Sequence, residues 1–469
     1  MTFRILLTSA VALLPFVAPA VDRTKQPTPG PAPTAAFPDF KVRTLASGLR
    51  VIVIPDDRSP TVTLRLQLKA GSTVDGGSGL SGFTASLLNR GTAKLDAAAF
   101  AKAIDSIGAQ LSGGASADSM SVSTSGLTKF TDRLLELFAD ALVNPVFPAD
   151  ELAKEQKRSL SSIAAGKKQP GTLAGNLMGR VIFGEHPYGK FSTEDSVKAV
   201  TRDAIVAFHK TWIVPNNASL VIVGDVEPDA IVAKVEKAFA AWESRPTPPL
   251  APLPPPPKMN GLTVHLVDRP ESVQSSIIVC QPAPARNFPD LPEVNVMNST
   301  LGGGFSGRLF QNLREKHGYT YGSSCAFNYS AQGGFFQATA DARNEVTAPA
   351  IQEILNEIGR IRTEPIPAEE LELQRQYNVG NYLLSLESAG RVAGRVQDIE
   401  LYGLPADFYK TYATRMSAVT PDSAQKLAQK YLSTENTAIV VVGKAETVKP
   451  ELEKIGKVVV YDTELNVVK

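Results

Sequence analysis

Residues 79–92 read GLSGFTASLLNRGT. Gly79-Leu80 opens the stretch and Gly91-Thr92 closes it, and no histidine, cysteine or carboxylate lies between them. The rest of the chain does not supply what is missing. Its four histidines are His186, His209, His265 and His317; the nearest two are His186 and His209, and none begins an H-x-x-E or H-x-x-x-H pattern. Metal ligands from one helix need imidazoles one turn apart on one face. No local metal site is therefore expected, and the histidines read as surface or core-edge residues.

The frame of the opening string resembles the zinc-binding helix of the pitrilysin/insulinase-type (M16) metallopeptidases, whose pattern is GL-x-H-x-x-E-H-x-x-x-x-GT. On that resemblance Gly82 and Ser86 stand at the two histidine ligands, and Ala85 stands at the catalytic glutamate. The third ligand, a glutamate further along, falls on Ser162 within SLSSI. A catalytic zinc needs three protein ligands and an open position for water, and a general base must take that water's proton. Glycine, alanine and serine provide none of this. The resemblance covers essentially residues 40–447. It implies an α+β fold of two homologous halves, each a pair of related α+β subdomains, closed like a clam shell around a cavity.

At 469 residues the chain has room for two or more domains. Its 43% hydrophobic and 20% charged residues place it with soluble globular proteins. A formal net charge of +1 gives no reason to expect nucleic acid as a partner. Arg4, an apolar run from Ile5 to Val17, and Ala18-Pro19-Ala20 form the pattern of a secretory signal peptide over 1–20. The run is too short to span a membrane. Export, most simply to a bacterial periplasm, is the expectation. Residues 21–38 are rich in Pro, Thr and Ala and read as a disordered leader. Cys280 and Cys325 can be bridged in an exporting compartment or remain two small buried hydrophobes.

Two halves, 39–245 and 258–469, flank a proline-rich connector at 246–257. They repeat each other. GLRVIVIPD starts at Gly48 and GLTVHLVDR at Gly261. An amphipathic helix follows in each, marked by Phe130, Leu134, Phe138 and Leu142, or by Ile351, Leu355, Ile358 and Ile361. Then come ADEL at 149–152 and AEEL at 368–371, and apolar strands ending at Gly224 and Gly443. Residues 115–124 and 333–343 read as strands. Helices beside a mixed sheet in each copy make the class α+β.

The second half carries LGGGFSGRLFQNLREKHGYTYG at 301–322. In the M16 family an arginine and a tyrosine seven apart in this segment help bind substrate and steady the transition state; Arg314 and Tyr321 have that spacing. An arginine offers a planar donor fork to a carbonyl or carboxylate, and a tyrosine hydroxyl can donate toward an oxyanion. The resemblance also makes Gly302, Gly303, Gly304 and Phe305 a substrate-handling loop. Some M16 enzymes divide these parts between two chains. This chain is similar to the ligand-less kind, with the zinc expected in a partner bearing H-x-x-E-H and no cofactor of its own. Peptides or unfolded proteins are then the expected substrates. The other reading is an inert scaffold or peptide-binding protein of the same fold.

Overall fold

The computed structural model describes residues 36–249 and 253–468. The expected signal peptide over 1–20 and most of the expected leader lie outside these residues. The leader does not run to 38 as expected. Phe37 is buried and stacks on Tyr409 at 5.4 Å between ring centroids, so apolar burial fixes the chain from this point. The described parts of the connector, 246–249 and 253–257, form neither helix nor strand, as repeated prolines require.

Each half is built on a six-stranded mixed sheet. The first comprises β1 (Lys41–Thr44), β2 (Arg50–Pro55), β3 (Thr61–Leu68), β4 (Gln110–Ala115), β5 (Met120–Leu127) and β6 (Ala218–Gly224), in the order β1-β2-β6-β3-β5-β4. The second comprises β7 (Thr263–Asp268), β8 (Gln274–Ala283), β9 (Thr320–Ser330), β10 (Gly333–Arg343), β11 (Ala438–Gly443) and β12 (Lys457–Tyr461), in the order β12-β7-β11-β8-β10-β9. Five strands correspond one to one. Only the outer strand beside β2 or β7 differs: β1 precedes its neighbour and runs antiparallel to it, whereas β12 comes from the C-terminus and runs parallel.

The segment 115–124 is not one strand. It contains the turn between β4 and β5, where Ser116 N donates to Ser119 O at 2.7 Å and Ser119 N to Ser116 Oγ at 3.2 Å. Ser-Ala-Asp-Ser is turn chemistry, which interrupts the alternation. The 333–343 strand is β10.

The halves hold together by exchanging a helix. Helix Pro170–Phe183 of the first half lies on the second sheet, where Leu173, Leu177 and Ile182 pack with Val267, Ile278 and Val440. Helix Ala389–Tyr402 of the second half lies on the first sheet, where Val392 and Val396 share a core with Ile52, Ile54, Val221 and Val223. The other face of the first sheet is covered by its own helices, with Leu220 and Ile222 buried there. Cover on both faces explains why ASLVIVG is buried throughout. Cavities open along the seam, among them one of about 400 Å³.

The two cysteines are free. Cys280 on β8 pairs with Gln337 of β10, and Cys325 on β9 pairs with Ala338. They therefore flank β10 on opposite faces of the sheet, two strand spacings apart, beyond disulfide reach. Burial pushes the Cys280 thiol up to about 12, and the Cys325 thiol up as well.

Candidate functional site

The 79–92 string folds as the helix Leu80–Leu87, entered through Gly79 at φ 86°. Asp75 holds that entrance: its Oδ2 accepts from Ser81 N at 2.7 Å, and its Oδ1 from Gly77 N and Ser78 N. Phe83, Leu87 and Leu88 face the core. Gly82 is half-buried, and a Cβ placed there would meet nothing within 4 Å. Ser86 is half-buried, and its hydroxyl donates to Phe83 O at 3.0 Å. Ala85 is only 1% exposed, and its carbonyl oxygen approaches so close to Gly113 that a side chain there would clash.

Gly82 borders a cleft of about 490 Å³ with Ser81, Phe83, Glu155, Ser159 and Lys190. Ser162, on the helix Ala149–Gly166, is exposed and faces the neighbouring cleft with Lys167, Phe191 and Glu194. Phe191 and Ser192 border both clefts. Glu155 is the carboxylate lining the cleft beside Gly82, and it is held by Arg158. Sequence reading missed it, although it stands seven residues before Ser162, two turns along one helix face. These residues do not fit a zinc ion: one carboxylate, a glycine, an alanine and two hydroxyls fall short of three ligands. Among the described residues no three His, Cys, Asp or Glu side chains gather at a metal-binding spacing.

The second half presents its pair differently. Arg314 sits on the π-helical turn Gln311–Lys316, closed by His317 N donating to Asn312 O at 3.1 Å. Its guanidinium lies 4.9 Å from the Phe310 ring centroid, and Glu315 is 3.5 Å away. Tyr321, at the start of β9, is 89% exposed. Since β9 is the outer strand of its sheet, the phenol stands on an unpaired edge. The segment is anchored below by Arg308, which forks onto Glu370 at 2.7 and 3.0 Å.

The glycine loop divides into two kinds of position. A Cβ on Gly302 would lie 2.8 Å from Cys325 N, and one on Gly303 would lie 2.6 Å from Ser299 Cα. Those two glycines serve close packing against β9 and the helix Leu291–Gly302. Gly304 has open space around it, and Phe305 is 76% exposed, stacked edge-on against Phe310 at 4.9 Å. The buried Phe310 thus links the exposed Phe305 to Arg314.

Comparison with known proteins agrees with this layout. Residues 50–190 match the family described as insulinase (peptidase family M16), and residues 199–378 match the M16 inactive domain. The chain belongs to the M16 peptidase family. It is 26% identical to an uncharacterised zinc protease of Mycobacterium leprae over 429 residues, covering 89% of this chain and 96% of that one. A similar protein of Streptomyces coelicolor, also called an uncharacterised zinc protease, is 25% identical over 85% of this chain and 88% of its own length. A peptidase M16 inactive domain from Pseudomonas fluorescens superposes with a TM-score of 0.81 and 27% identity, over 86% of this chain and 98% of that one. A protease from Helicobacter pylori shares the fold with a TM-score of 0.81 at 20% identity, over 86% of this chain and 99% of that one.

Proposed function

We propose that this chain is the non-catalytic, substrate-binding subunit of an exported M16 zinc peptidase. It supplies half the peptide chamber, while a homologous chain with an intact H-x-x-E-H brings zinc and the general base. The observation that carries this reading is the contrast between the two halves. The first has lost every proton-accepting or ligating side chain at the family's catalytic positions, and the second holds Arg314 and Tyr321 out to solvent on an anchored turn and a free strand edge. Such groups can act only on something that docks against them. Arg314 is suited to hold a peptide carbonyl or carboxylate, and Tyr321 to donate toward the oxygen that becomes negative during attack. The β9 edge can take an extended peptide by strand addition. Export rests on the Arg4, Ile5–Val17 and Ala18-Pro19-Ala20 pattern.

The test is reconstitution. The purified chain should cleave no fluorogenic peptide alone, and should raise the turnover of an H-x-x-E-H partner chain when mixed with it. Losing one oxyanion donor costs about 10²–10³ in kcat, so Tyr321→Phe should lower kcat by that order. Turnover unchanged by both Tyr321→Phe and Arg314→Ala would leave only the scaffold reading.

A further inference from the structure

The exchanged helix Ala389–Tyr402 carries a second feature, unrelated to the Arg/Tyr pair. Where it crosses the first sheet it borders the seam cavity of about 400 Å³, whose walls include Arg65 of β3, Arg286 beyond β8, and Arg391, Arg395 and Asp398 of the helix itself. Four positive charges thus meet one negative charge. Among the described residues Arg286 with Asp398, at 3.1 Å, is the only ion pair that these four arginines make. Tyr409 closes that pair, accepting from Arg286 Nη2 at 2.8 Å and donating to Asp398 at 3.0 Å. Among the described residues Arg65 is satisfied only by an amide, with Nε donating to Gln397 Oε1 at 2.6 Å. Arg395 rests on aromatic faces, 4.9 Å from the Tyr382 centroid and 5.7 Å from that of Tyr409.

The donors outnumber the acceptors. Arg286 Nη1 and Arg395 Nη1 are buried with no hydrogen-bond partner. A guanidinium taken out of water without an anion is costly, and cation–π contact offsets only part of that cost. Elsewhere along the seam, charges meet in opposite-sign pairs, as Arg50 with Glu400 at 2.8 Å and Lys167 with Glu464 at 2.8 Å. Here the fold gathers charge of one sign around open space. We infer that this cavity binds a small oxyanion of two negative charges, a dicarboxylate or a phosphate, gripped by Arg65, Arg391 and Arg395. Guanidinium forks match both chemistries bidentately. The inference does not depend on any zinc-bearing partner.

Isothermal titration of the full chain with succinate and with inorganic phosphate, in chloride buffer, tests it. At least one probe should give saturable one-site binding, and the stronger of the two identifies the ligand as carboxylate or phosphate. A charged hydrogen bond contributes about 1.5–3 kcal/mol, so Arg395→Gln and Arg391→Gln should each weaken binding about ten- to hundredfold. Arg391 is exposed, so Arg391→Gln keeps the test decisive if Arg395→Gln fails to fold. Arg133→Gln, on a distant helix and paired with Glu136, should bind as the wild type does. Absence of saturable heat with both probes, or equal affinity in wild type and both seam variants, would overturn the proposal.

Discussion

Zinc ligands can be introduced at the positions the family pattern suggests, and the structure says what that should cost. Gly82→His places a side chain where a Cβ meets nothing within 4 Å. It also removes a glycine from a helix interior, a gain of a few tenths of a kcal/mol on the propensity scale. Ser86→His gives up the Ser86 hydroxyl bond to Phe83 O, worth about 1 kcal/mol. The double variant should therefore fold within about 1 kcal/mol of the parent, with two imidazoles one turn apart. Glu155 already borders the cleft, and Ser162→Glu adds a carboxylate two turns along the same helix, on the adjoining cleft. Zinc at a hundredfold excess over its dissociation constant should then stabilise the triple variant by about 2.7 kcal/mol. Metal analysis after dialysis and denaturant melts with and without zinc measure this. The parent should show neither uptake nor a shift. A folded triple variant that takes up no zinc would refute the reading of this helix as a ligand-stripped zinc site. Hydrolysis should still be missing, because Ala85 supplies no base.

Three further outcomes are expected. His265 is held neutral by burial, its pKa lowered to about 4, with Tyr461 Oη 3.0 Å from Nδ1. The unfolded chain binds that proton near pH 6.5, so stability is complete above this value and falls between pH 6.5 and 4, by at most about 3 kcal/mol. Denaturant melts across this range should show a shallower slope in His265→Gln; an unchanged slope would remove His265 as the cause. Leu177→Ala opens a cavity under the exchanged helix and should cost about 2–5 kcal/mol in urea unfolding; a cost under 0.5 kcal/mol would mean the seam carries little of the stability. Native protein should react with no thiol reagent, and two thiols should appear on denaturation, since Cys280 and Cys325 are buried and unbridged. One rapidly titrating thiol in the native state would contradict that packing.

The repeat made the fold readable. Apolar strands ending at Gly224 and Gly443 become the central β6 and β11, and ADEL and AEEL open equivalent helices. The exchange of helices was not readable. Pro170–Phe183 and Ala389–Tyr402 carry ordinary amphipathic patterns, and periodicity says that a face is buried without saying against which sheet. Nor did proline-poor alternation reveal the Ser116–Ser119 turn inside 115–124. At the site, the absence of ligating side chains from 79–92 and the seven-residue spacing of Arg314 and Tyr321 were legible because they are local strings. Glu155 was not, because its relation to Gly82 exists only once two helices pack. The seam arginines were hidden for the same reason: Arg65, Arg286 and Arg395 come from segments far apart in sequence.

The Leu80–Leu87 helix shows how this fold stands without zinc chemistry. Its stability resides in Phe83, Leu87 and the neighbouring Leu88, which fill the first-half core, while Gly82 borders the cleft and Ser86 is half-buried. Changing the cleft side leaves the core side intact, so the two can vary independently. Ala85 is the exception. At 1% exposure, a glutamate there would be a desolvated carboxylate. Without a metal-bound water to receive its hydrogen bond, that charge would cost several kcal/mol. With no ligand at 82 or 86, alanine at 85 is the stable choice. The order matters for restoration: Ala85→Glu alone should destabilise the chain, and the same change added to a zinc-loaded Gly82→His, Ser86→His, Ser162→Glu background should cost measurably less. Equal costs in the two backgrounds would mean that residue 85 never addressed a metal site.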